Sequence, residues 1–111
     1  MPQSHKKKPT DWVSDNIIRQ QFNKSQIFEQ AKSGKLKTKV KRSSHLKNPP
    51  PTEPYCTHSQ ILSYSSQKGK PLAIVHQYLR PDGTIGASGR PDPKVFHLPN
   101  RILAVKTPKK K

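Results

Sequence analysis

Between Ser59 and Gly89 the apolar positions recur with a period of two, the mark of strands whose successive side chains point to opposite faces. The stretch SQILSYSSQKGKPLAIVHQYLRPDGTIGASG reads as three short strands joined by two turns. The sharper turn is Arg80-Pro81-Asp82-Gly83-Thr84. Pro81 presets φ for the second position of a turn, Asp82 can bond nearby backbone, and Gly83 can take a left-handed conformation. Together they fit a three-residue hairpin loop with a glycine bulge. That loop sets Arg80 opposite Thr84, Leu79 opposite Ile85 and Tyr78 opposite Gly86. The other turn, Gln67-Lys68-Gly69-Lys70, sets Tyr64 opposite Ala73 and Leu62 opposite Val75. Both turns select the same apolar side. Leu62, Tyr64, Ala73, Val75, Leu79 and Ile85 form one face, the expected core. Ile61, Ile74, His76, Tyr78, Arg80, Thr84 and Ser88 form the other, expected to be partly exposed. A slip of one residue would scatter the apolar face.

Upstream the period changes. From Thr10 to Ser33 the residues Val13, Ile17, Ile18 and Phe22 follow helical spacing, with Thr10 or Ser14 as the cap. Asn23-Lys24-Ser25 offers a break and a new cap, Ile27, Phe28 and Ala31 line a second short helix, and Gly34 is a natural C-cap. Two short helices around a tight turn suit a DNA-reading helix-turn-helix. The favoured reading is instead a packing pair in which Trp12, Ile18, Phe22 and Phe28 sit on the sheet or on a partner, since most helix pairs of this size are packing units.

Lys35 to Lys47, KLKTKVKRSSHLK, carries seven basic residues in thirteen when His45 is included. Lys35, Lys37, Lys39 and Lys41 alternate with Leu36, Thr38 and Val40, and Arg42 and Lys47 follow. An extended chain would set one lysine row at about 7 Å intervals, a spacing that can follow a phosphate backbone. The alternative is a sheet edge guarded by lysines against aggregation. Asn48 to Tyr55, NPPPTEPY, is expected to be a stiff polyproline spacer between a lysine-rich arm and the β unit. Beyond the meander, Gly89 to Lys94 is turn-rich, Val95 to Leu98 is a short apolar piece, and Arg101 to Lys106 reads as a last strand buried on both faces.

Composition narrows the function. The chain has 111 residues, 29% of them hydrophobic, with twelve prolines, so it has one small core and much extended chain. Lys and Arg number 22 against six acids, a net charge of +16. Such self-repulsion favours a polyanionic partner. Cys56 is the only cysteine, which suits a reducing compartment. No apolar run approaches the ~20 residues of a membrane helix, and the basic N-terminus is not followed by the apolar stretch of a secretory signal. The expectation is an intracellular protein, cytoplasmic or in the nucleoid or nucleus, with no membrane association.

Nucleic-acid binding is the chemistry these residues support best. Cations displace condensed counterions from phosphates. His76, Tyr78 and Arg80 on the second sheet face could meet unpaired bases, although Tyr78 could equally cover Gly86 across the hairpin. The candidate contacts are Lys35, Lys37, Lys39, Lys41, Arg42, Lys47, His76, Tyr78 and Arg80. Cys56 and His58, with His45 and His76, offer zinc-type ligands, but the paired spacings of zinc sites are missing, so no metal or other cofactor is expected. Six scattered carboxylates and the lack of a phosphate loop, GxSxG or HExxH leave no catalytic residue to name.

The fold class expected is α+β: two short N-terminal helices, a basic extended arm, and a small antiparallel β-meander of three to four strands. The organisation expected is a disordered basic lead (1–9), a helical segment (10–34), arm and linker (35–55), an antiparallel β unit (56–106) and a basic tail (107–111). The function expected is a non-enzymatic protein that binds DNA or RNA. An assembly subunit of a larger protein–nucleic acid machine and a small nuclease are the alternatives.

Overall fold

The computed structural model describes residues 8–46, 51, 53–86 and 89–105. Its centre is one six-stranded mixed sheet. In chain order the elements are β1 (Thr10–Val13), α1 (Asp15–Ser25), α2 (Ile27–Lys32), β2 (Lys37–His45), β3 (His58–Ser65), β4 (Pro71–Leu79), β5 (Asp92–His97) and β6 (Ile102–Val105). Across the sheet the order is β1-β6-β5-β4-β3-β2. β1 runs parallel to β6, and all other neighbours are antiparallel.

This corrects the expected three- to four-stranded meander. The β3–β4 hairpin has the pairing that its turn dictates, with Leu62 opposite Val75 and Tyr64 opposite Ala73. The Pro81-Asp82-Gly83 loop also closes as its residues require: Arg80 N–H donates to Thr84 O, and Gly83 adopts φ +89°. The third strand of that meander, however, shrinks to a single bridge between Leu79 and Ile85. The place beside β4 belongs instead to β5, with Ala73 opposite Phe96 and His76 opposite Asp92.

Two more corrections concern the ends of the sheet. Thr10 does not cap a helix. It opens β1, whose parallel pairing with β6 adds a strand at one edge. Ser14 is the cap of α1, accepting from Ile17 N–H at 3.4 Å. At the other edge, the lysine-rich segment is not an arm outside the sheet. It is β2, paired with β3 from Lys37–Ser65 to His45–His58. The proline-bearing segment therefore connects two adjacent strands of one sheet.

The helices cover one face only. Ile18 and Phe22 of α1 and Phe28 of α2 bury against Leu62, Tyr64, Ala73, Val75, Phe96 and Leu103. Phe22 is wholly buried and meets Phe96 edge-on at 5.9 Å, with Tyr64 at 6.4 Å. A left-handed Gln26 (φ 62°) separates the helices, and Ser25 Oγ accepts from Ile27 N–H to start the second. α1 lies over β5 and β6. The helices thus stop short of β2, whose nine residues are all exposed, Val40 at 50% although it pairs with buried Leu62.

Candidate functional site

Cross-strand partners share a face, so the pairings say where each cation of β2 points. Lys37 lies opposite Ser65, Lys39 opposite Ser63 and Arg42 opposite Ile61. These partners belong to the face away from the helices. The register shifts between Val40 and Arg42. Such a bulge places one extra residue on the bulged strand. Lys41 is that residue, and the row passes from Lys39 to Arg42 instead of continuing through Lys41. Lys35 falls before the strand, its N–H donating to Gln30 O in the turn that ends α2. Lys47 lies outside the described residues.

These cations have no compensating acids. Among the described residues, Lys35, Lys37, Lys39, Lys41 and Arg42 form no ion pair. Four of the six acids are ion-paired elsewhere: Asp11 with Arg101, Glu29 with Arg90, Glu53 with Arg80, and Asp92 with Arg19 and Lys94. Burial pushes the Asp92 carboxyl up, but its Arg19 and Lys94 partners hold it below the ordinary carboxylate range. Asp82 accepts from both the N–H and the hydroxyl of Thr84 in the hairpin loop. The result is a strand, exposed along its whole length, that is the uncompensated positive edge of the sheet.

The three candidates on β4 and its turn have different situations. Arg80 is committed to the fold. Its Nε donates to Glu53 Oε1 at 2.8 Å and its Nη2 to Glu53 Oε2 at 3.3 Å, a two-pronged pair in which the Glu53 side chain is 1% exposed. Gly86 makes room for it: a Cβ at that position would fall on the Glu53 carboxylate. So the close approach across from Tyr78 receives an acid from the proline-rich connection, a role for Gly86 that its sequence neighbours do not announce. His76 is half-buried, with Nε2 2.7 Å from Ser59 Oγ and its ring edge-on to Tyr78 at 4.9 Å. Burial lowers its pKa, with Lys94 adding to this and Asp92 opposing it. These surroundings favour the neutral ring, which suits stacking or hydrogen bonding better than phosphate neutralisation. Tyr78 stands beside it, half-buried. A pocket of about 360 Å³ opens where the chain leaves β4, lined by His76, Tyr78 and Gly86 together with Arg19, Arg90 and Asp92.

At the far end of β2, His45 and His58 oppose each other with ring centroids 5.3 Å apart, Tyr55 lies against His45, and Ser43 Oγ is 3.3 Å from His58 Nδ1. Cys56 is exposed with φ +74°. Among the described residues no three His, Cys, Asp or Glu side chains converge as a metal site would need. No helix among them is long and apolar enough to cross a membrane.

The sheet face away from the helices holds a residue that sequence reasoning put elsewhere. Trp12, expected to pack with Ile18, Phe22 and Phe28 on the sheet or on a partner, is 62% exposed and does not join their core. It pairs with Ala104, which pairs with Val95, which pairs with Ile74, then Ser63, then Lys39. One continuous cross-strand row therefore runs from Lys39 at one edge to Trp12 at the other. The only available signal was the alternation Thr10-Asp11-Trp12-Val13, and four residues are too few to separate a strand from a helix start.

Comparison with protein-family models, with curated proteins and with solved structures finds no match to this chain.

Proposed function

We propose that this protein binds nucleic acid without catalysis, holding the phosphate backbone along β2. One observation carries the reading: Lys37, Lys39, Lys41 and Arg42 stand exposed on an edge strand, and among the described residues no acid forms an ion pair with any of them. A lysine guard against edge pairing needs only a few charges. Four successive cations without partners, in a chain of net charge +16, exceed that need and suit phosphates, whose counterions they would release. Arg80 is not among the contacts in this reading, because Glu53 holds it.

The test compares two triple variants of equal charge. Lys37, Lys39 and Arg42 are changed to Gln in one, and Lys24, Lys68 and Lys70 in the other. The β2 variant is expected to lose about tenfold or more in affinity for a labelled oligonucleotide at moderate salt, and the control variant clearly less. Equal losses would mean that net charge alone acts and that β2 is not the site.

A further inference from the structure

The open face of the sheet says which form of nucleic acid fits. Both helices bury their apolar side chains on one face. The opposite face presents Ile61, Ile74, Val95 and Ile102, half-buried by their neighbours, with Trp12 exposed at the β1 edge and Lys39 and Arg42 at the β2 edge. Six strands at a spacing of about 4.8 Å make this face about 24 Å wide. The major groove of duplex DNA, about 12 Å wide, admits a helix or a two-stranded ribbon but not such a face. A duplex also hides the flat surfaces of its bases, and an apolar floor offers it nothing. A single strand presents both parts that this face complements: phosphates for the cationic edge, and unstacked bases for apolar and aromatic side chains.

We infer that a single-stranded nucleic acid crosses the open sheet face from β2 towards β1, with its phosphates at Lys37, Lys39 and Arg42 and a base stacked on Trp12. This rests on the phosphate-binding reading above and adds the strand form and the stacking residue. The charged edge and the tryptophan lie on one face at opposite ends of one row, so a single extended ligand reaches both.

Trp12 is the only tryptophan in the chain, so its emission reports contact at that edge directly. The full-length protein is titrated at low salt with a mixed-sequence single-stranded DNA, the same RNA sequence, and the DNA duplex. Affinities of Trp12→Ala and Trp12→Phe are measured with labelled oligonucleotides, and thermal midpoints confirm that both variants fold. The expected result is quenching of Trp12 by single strands of either sugar. Trp12→Ala should lose about 5- to 100-fold in single-strand affinity, with most of it restored by Trp12→Phe and duplex affinity unchanged. Unquenched emission with unchanged Trp12→Ala affinity would overturn the inference while leaving phosphate binding at β2 intact. If wild-type protein bound none of the three, both would fall together.

Discussion

The most constrained residues lie around Gly86. Its missing side chain is the space that the Glu53 carboxylate occupies, and Glu53 in turn holds Arg80. Gly86→Ala should destabilise the protein by about 1–3 kcal/mol, the range for overpacking a filled site. Urea denaturation would measure it, and an unchanged midpoint would mean that Glu53 has another place to go. The histidines make a second residue-scale prediction. Burial lowers the pKa of both His76 and His97, with Lys94 and Lys8 respectively adding to it. A histidine whose folded pKa is depressed favours the folded state fully above its unfolded value of about 6.5, and that contribution is lost as pH falls towards the folded pKa. The thermal midpoint should therefore drop on going from pH 7.5 to 5, before the carboxylates titrate. His76→Gln should flatten part of that drop, and a wild-type midpoint constant over this window would contradict the burial of both rings. At the alkaline end, burial raises the Tyr64 phenol to about 12, so it should ionise only with unfolding.

Among the elements, α1 binds the layers together. Phe22 is the side chain through which it reaches Tyr64 and Phe96 at once. Phe22→Ala should cost about 3–5 kcal/mol, enough to unfold a domain with so small a core, as far-UV circular dichroism at room temperature would reveal. The elements also divide by how they could be read. The β3–β4 register was legible because two tight turns and two alternating strands overdetermine it: a one-residue slip would have exposed Leu62, Tyr64, Ala73 and Val75 together. The last strand was legible from its apolar run, and Leu103 and Ala104 are indeed buried. β5 was not, since Pro93 and a register shift between Ile74 and Val75 break its alternation. Nor was the pairing of β1 with β6, a contact between residues some ninety positions apart that no local pattern records. The basic segment was legible as extended and charged, with a lysine-guarded sheet edge as one of its two readings, but its pairing with β3 was not, because that partner lies beyond a proline-rich connection that resembles a spacer. The bulge that replaces Lys41 by Arg42 in the cationic row has no sequence signal. Arg80 looked available for a ligand because Glu53, 27 residues away, could not be seen to reach it.

At the scale of the whole molecule, the buried core is built on one side of one sheet. The helices cover that side and stop before β2, and every ion pair among the described residues uses cations other than those of β2. What remains is a sheet with a positive overhanging edge and an open second face. A polyanion held by four or so cations leaves a thermodynamic signature that no uncharged contact can imitate, because counterion release makes log affinity linear in log salt with a slope of about −0.7 per phosphate neutralised on a single strand. The deciding measurement is the affinity of the full-length protein for single-stranded DNA and RNA across a salt series. Tight binding in dilute buffer is expected, weakening with a slope of about −3 or steeper. Failure to bind either polymer in dilute buffer, or an affinity indifferent to salt, would contradict it.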